Sequence, residues 1–290
     1  MSGLTFRQEP LMTSIQLPAL RLKDWKETRD ILHQYFIMIG TLKEKMSQPH
    51  PHWWHISLRV SDLGITTTPI PKNKNTPDQT FEVIFDLKNN HLLIESNYRE
   101  VLRIKLTGQS ICALCEETCS LLTDIGVALP IDKKEFNDGR AGEYNEEYVT
   151  NYWIALKEIN RIIIVFRSEL RGERSPVQLW PHHFDLSMSW FSGRLIPDKD
   201  PNDPDSSKEQ MMFGFSTGDE IIQDAYFYIT AYPVPERLPN LKTPEDSRWN
   251  TEGFQGGMMM YDAFTKANNP EEKLLNYFRT FQKAGAELMR

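Results

Sequence analysis

Cysteine is scarce. The chain has three, Cys112, Cys115 and Cys119, all within one short stretch. An odd count in a single cluster argues against a disulfide framework and makes a reducing cytoplasm the expected compartment. Long apolar runs are also missing. No stretch nears the roughly 18 consecutive apolar residues of a transmembrane helix, so no membrane association is expected. The opening segment MSGLTFRQEPLMTSIQLP lacks the basic-then-apolar order of a secretory signal. Positive charge is in deficit, with 33 Lys plus Arg against 40 Asp plus Glu and a formal charge of −7. The general basic footprint of a nucleic-acid binder is therefore absent, and no nucleic-acid partner is expected. Glycine-rich phosphate loops are lacking as well: Gly253-Phe-Gln-Gly-Gly257 fits neither the dinucleotide nor the Walker pattern, though glycine there would let a ligand approach the backbone.

What the chain does have is ordinary globular composition, 40% hydrophobic and 25% charged over 290 residues. That suffices for a sizeable core and excludes a disordered chain. Apolar residues Trp25, Leu32, Tyr35, Phe36, Ile39 and Leu42 recur at helical spacing from Asp24, the expected cap, to about Met46. His55–Ser61 alternates polar and apolar and reads as a half-buried strand. Phe81–Leu87 and His91–Glu95 read as a hairpin about Asn89-Asn90, and Val101–Leu106 as a further strand. Residues 108–125 form a helix ended by Gly126. Beyond a polar connector, Tyr148–Leu170 is a second long helix, and His183–Trp190, Met211–Ser216 and Ala225–Tyr232 are strands. Residues 233–257 read as irregular. Glu271–Met289 is a closing helix with Asn269 as its cap and Pro270 at its first position.

The order helix, proline loop, strands, helix occurs twice. At a shift of 128 residues, positions 25–69 pair with 153–197 without a gap and give eight identities, among them Trp25 with Trp153, His55 with His183 and Ser61 with Ser189. Roughly three would arise by chance at typical frequencies. Internal duplication is the expectation, although helix-then-strand patterning alone makes such segments look alike. The chain reads as one compact α+β unit over residues 1–290. Mostly antiparallel sheets pack with helices in two similar halves, about 20–128 and 145–289, joined by a connector at about 129–144.

The densest polar cluster is Gln178-Leu-Trp180-Pro-His-His183-Phe-Asp185, followed by Ser187, Ser189 and Arg194. In a strand, alternate side chains share a face, which places His183, Asp185, Ser187 and Ser189 together. The same parity groups His55, Ser57, Arg59 and Ser61. Packed about a pseudo-twofold axis, the two faces would form a polar groove. Three chemistries fit. His183, Asp185 and His55 are of metal-ligating type. Asp185 could instead orient a histidine acting as a base. Arg59 and Arg194 could clamp a carboxylate or phosphate. Trp180 and Tyr228 would supply apolar walls, Tyr228 standing in the row Tyr226, Tyr228, Tyr232 that alternates with Phe227 and Ile229. A simply solvated sheet face accounts for the same pattern. His50-Pro-His52-Trp-Trp-His55 invites a metal reading too, but tryptophans and prolines at a strand entry usually pack. The three cysteines fall with Leu122 on one helical stripe, as small buried hydrophobes do.

The strings His52-Trp-Trp-His55, Thr66-Thr-Thr-Pro69, Ser175 to Asp185, Phe191-Ser-Gly-Arg194 and Tyr228 to Pro235 together resemble an uncharacterised bacterial family, domain of unknown function 5996. The resemblance runs from about Trp25 to the last helix. It implies a shared architecture and a bacterial cytoplasmic setting, and it supplies no catalytic residues and no cofactor.

The leading expectation is therefore a cytoplasmic protein that binds a small ligand, with an anionic one as an option, in a polar groove between two halves. The site residues are His183, Asp185, Arg194, Arg59, His55, Trp180 and Tyr228. The alternatives are a non-catalytic interaction scaffold and a metal-dependent enzyme. Whether the protein is an enzyme, and its oligomeric state, stay open at this level.

Overall fold

The computed structural model describes residues 17–73, 76–97, 101–129 and 131–289. The expected N-terminal arm falls mostly outside them. Helix α1 (Leu22–Met46) carries its apolar stripe from Leu22 to Leu42 into the core, with Leu32, Tyr35, Phe36 and Leu42 fully buried. It begins two residues before Asp24, which lies in the first turn, where its charge suits the helix dipole. After α1 come the short strands β1 (Arg59–Val60), β2 (Ile65–Thr66) and β3 (Ile70–Pro71), then β4 (Thr80–Asp86), β5 (His91–Ser96) and β6 (Val101–Lys105). Their antiparallel order is β1-β2-β4-β5-β6, with β3 also paired to β4. Asn90, at φ 57°, turns the β4–β5 hairpin. Helix α2 (Ile111–Asp124) follows, with Ser110 Oγ accepting from the Ala113 N–H as its cap. Cys115 and Cys119 face the core from α2.

The second half opens with α3 (Glu146–Glu169), capped by the Asn145 side chain. Strands β7 (Gln178–Trp180), β8 (Asp185–Leu195), β9 (Lys208–Ser216), β10 (Tyr226–Tyr232), β11 (Ser247–Asn250) and β12 (Gly256–Met260) form an antiparallel sheet in the order β11-β12-β10-β9-β8-β7. The short α4 (Tyr261–Thr265) leads to α5 (Pro270–Leu288), where Asn269 caps and Pro270 occupies the first turn as the sequence predicts.

The protein is thus α+β with antiparallel sheets, and its buried apolar side chains form one cluster drawn from both halves. Phe36 of α1 packs on Phe85 of β4 at 4.6 Å and on Phe184 at 5.2 Å between ring centroids. Phe166 of α3, Phe213 of β9 and Phe278 of α5 meet at 4.8–5.7 Å and fix the helices to one face of the second sheet. The two sheets touch edge to edge, where Leu58 and Leu179 exchange backbone hydrogen bonds of 2.8 and 3.0 Å.

Three expectations change. Residues 55–58 are not a regular strand: after the 3-10 turn Pro51–Trp53 the chain keeps turning, Leu58 makes a single bridge to Leu179, and β1 covers only Arg59–Val60. The β8 strand starts at Asp185 rather than His183, because Phe184 adopts φ 56°, which breaks extended geometry. The stretch expected to be irregular contains β11, and β12 follows at its end. Its glycine- and methionine-rich sequence has weak strand propensity, and pairing with β10 overrides that. Both halves begin with a long helix, but at a shift of 128 the two-residue β1 falls inside the eleven-residue β8, so the likeness does not extend through the sheets.

Candidate functional site

Strands β7 to β10 of the second sheet contribute side chains to a cavity of about 670 Å³. On β8, Leu186, Met188 and Trp190 point into the core while Asp185 and Ser189 line the cavity. On β10, Phe227 and Ile229 are buried while Tyr226, Tyr228 and Thr230 line it. The period-2 pattern therefore did its work here. The opposite wall comes from the first half: His52, Trp53, Trp54 and Ile56.

Asp185 is the floor. It is only 9% exposed. The Tyr228 hydroxyl donates to its Oδ2. Its Oδ1 is buried and has no hydrogen-bond partner. Burial pushes the Asp185 carboxyl up to about 6, against the opposing pull of the Tyr228 hydrogen bond and of His183. Tyr228 reaches Asp185 across an intervening strand. Register places Tyr228 opposite Gly214 on β9, and Gly214 opposite Ser187 on β8. A Cβ at Gly214 would stand 2.3 Å from Tyr228 Cζ, so only glycine leaves room for the ring to lie over β9. Beside it, Trp180 Nε1 donates to Ser187 Oγ at 2.9 Å. The wall continues as three rings: Phe254 lies 5.8 Å from Tyr226 and 6.0 Å from Tyr228, and the two tyrosines are 6.3 Å apart.

The 52–56 wall is held in unusual backbone geometry. His52 and Trp53 both have φ 58°, a left-handed conformation that costs a non-glycine residue free energy. The His52 N–H donates to Asp205 Oδ1, and its ring packs 4.8 Å from Phe191. Burial lowers the His52 and His182 imidazoles. Trp53 is 55% exposed at the rim. On the far side, the turn 181–184 is brought in by α1: a Cβ at Gly40 would lie 2.4 Å from Pro181 Cγ.

Of the residues expected at the site, Trp180, His183, Asp185 and Tyr228 line this cavity together. Arg59, Arg194 and His55 do not. Arg59 donates to Ser57 Oγ at 3.1 Å beneath the sheet junction, where burial brings it down to about 10. Arg194 is exposed near the end of β8, 4.0 Å from Glu209. His55 Nδ1 accepts from the His50 N–H at 3.2 Å and its ring stacks on Trp53. Arg59 stands on β1 of the other sheet and Arg194 at the far end of β8, placements that a parity argument could not show. Among the described residues no three His, Cys, Asp or Glu side chains gather as a metal ion would need.

Sequence reading missed several lining residues. His52 and Trp54 stood in a string read as packing, while Tyr226 and Phe254 stood in strings that could line a pocket but were not taken into the expected site. Asp205, Gln210 and Asp219 carried no signal, because loops and crossings bring them in. Ser216 carried one that was overlooked: Gly214-Phe-Ser216-Thr-Gly218 has the GxSxG spacing of a nucleophile elbow. That motif needs a sharp strand-to-helix turn. Here Ser216 is the last residue of β9, a loop follows, and its Oγ accepts from the Gly218 N–H at 3.2 Å. The geometry is that of a strand end, not of an elbow.

Among the described residues no helix is long and apolar enough to cross a membrane. No curated protein and no solved structure matches the chain. The model of the family of unknown function DUF5996 matches residues 17–290, and the chain belongs to that family.

Proposed function

We propose that the cavity between the 52–56 wall and the second sheet binds a small organic molecule that donates a hydrogen bond to Asp185. The observation that carries this reading is the orphaned Asp185 Oδ1. A buried acceptor without a partner costs about 1–3 kcal/mol, and folded proteins rarely keep one without a use. A donor on a ligand would satisfy it. The size supports the same reading, since about 670 Å³ suits a metabolite. So does the strain: left-handed backbone occurs at His52 and Trp53, which line the cavity, and at Phe184, between the lining residues His183 and Asp185, and such strain gathers at ligand sites. The low cysteine content, three residues in one short cluster, favours a cytoplasmic setting.

The test is a small-molecule library read by thermal shift, beside mass spectrometry of whatever is released from denatured, freshly purified protein. Wild type should be stabilised by a subset of compounds or release a stoichiometric one, and Asp185→Asn should lose the response. No stabilising compound and no released molecule would overturn the reading and leave the interaction-scaffold alternative in its place.

A further inference from the structure

Resting on that reading, we infer that the ligand is an organic cation, an ammonium group seated on Asp185 with its carbon skeleton against Tyr226, Tyr228 and Phe254.

The sign of the lining carries the argument. Asp185, Asp205 and Asp219 all face the cavity, and among the described lining residues there is no lysine or arginine. The nearby fixed cations are already committed. Arg29 pairs with Asp30 and donates to the Thr217 Oγ1 and the Gly218 carbonyl, and Lys208 pairs with Glu173. The positive charge available at the walls is limited to the imidazoles of His52, His182 and His183, two of which burial holds toward the neutral form. A carboxylate or phosphate would be desolvated beside carboxylates with no fork to receive it. An ammonium finds the opposite.

Asp185 gives the second, independent observation. An acidic cluster alone is no site, but Asp185 is nine-tenths buried with Oδ1 unpartnered and Oδ2 anchored by Tyr228. Asp185 lines the cavity with one oxygen held and the other in want of a donor, which a ligand supplies once the carboxyl turns toward it, and a charged donor makes the stronger bond. The rings give the third. Phe254, Tyr226 and Tyr228 form one continuous wall, and aromatic faces attract cations and cover alkyl or aryl carbon alike.

Three probes of one skeleton test the charge: 2-phenylethylamine, 2-phenylethanol and 3-phenylpropionate, titrated calorimetrically into the full chain at pH 7.5. The amine should bind at least about tenfold tighter than the alcohol, and the carboxylate weakest, as a charge-assisted bond to a desolvated carboxylate requires. Asp185→Asn should bring the amine down to the alcohol. Phe254→Leu, a milder change, should weaken amine and alcohol together while keeping their order. Equal binding of amine and alcohol, or preference for the carboxylate, overturns the cation and leaves a small-molecule site standing. Binding of none of the three overturns the cation as stated, and the library test above then decides separately whether any ligand is taken.

Discussion

Tyr228 and Asp185 sit on strands that are not neighbours, yet the Tyr228 hydroxyl donates to the Asp185 carboxylate. The bond passes over β9 at Gly214, where the backbone has no side chain to obstruct it. This one contact holds the floor of the cavity, and three residues on three strands must agree for it to form.

Gly214→Ala should therefore destabilise the protein. In an ordinary strand alanine would be the better residue. Here its Cβ meets Tyr228 Cζ at 2.3 Å, so the ring must swing away and leave Asp185 Oδ2 as unpartnered as Oδ1. The expected loss is about 2–3 kcal/mol by urea unfolding, from overpacking together with a lost buried hydrogen bond. A midpoint unchanged or raised would show that the ring moves freely and that the crossing contact is not held.

Asp185→Asn should show a pH-dependent gain. The groups facing Asp185 are Tyr228 and Tyr226 from β10, His183 from the preceding turn and Tyr152 from α3. The carboxyl is raised from 3.8 to about 6 in the folded state, with burial as the main cause. The folded protein thus holds this proton more tightly than the unfolded chain, so Asp185 lowers stability as pH climbs from 3.8 through 6, and the deficit is complete above that. Asparagine removes the titration. The stability of the variant minus that of wild type should become more positive by about 1.5 kcal/mol between pH 5 and pH 8. Parallel curves over that window would mean that Asp185 ionises as freely as in solution.

Gly40→Ala reverses a familiar expectation. In a helix interior alanine normally gains about 1 kcal/mol over glycine. At Gly40 the added methyl would lie 2.4 Å from Pro181 Cγ, and Pro181 starts the turn that carries His182 and His183. Net destabilisation of about 1–2 kcal/mol is expected in thermal unfolding, with weaker binding of any ligand found by the library screen. A raised melting temperature would count against close packing of α1 on this turn.

The α3–α5 contact separates apolar from ionic contributions. Arg279 bridges Glu169 at 2.6 Å, but both side chains are well exposed, and such pairs contribute less than about 1 kcal/mol. Phe278 is fully buried between Phe166, Phe213 and Phe227. Phe278→Ala should cost about 3–5 kcal/mol and Arg279→Ala under about 1 kcal/mol, both by chemical denaturation. Similar costs would show that the ion pair, and not the aromatic contact, fastens α5.

Much of this was legible in the chain because it depends on local periodicity. The stripe from Leu32 to Leu42 can be buried only as a helix face, and Leu186, Met188 and Trp190 alternate with Ser187 and Ser189 because strand side chains do. Asn269 with Pro270, and Asn90 in the hairpin, act within a few residues of themselves. Sequence analysis also grouped Trp180, His183, Asp185 and Tyr228, which do line one cavity. It could not tell where a strand begins: a single left-handed residue, Phe184, puts His183 in a turn.

By itself, then, the sequence determined the helices, most of the strands, which face of each strand is polar, and the family. Those properties follow from side-chain spacing and composition along a few turns or residues. Only the tertiary structure decided which polar face meets which wall. It seated Asp185 under Tyr228 by way of Gly214, swung Arg59 and Arg194 out of the lining, and brought Asp205, Asp219 and the His52–Trp54 segment in. The physical reason is that register and sheet-edge pairing, such as Leu58 with Leu179, are set by packing between segments more than a hundred residues apart, and no local pattern encodes that distance.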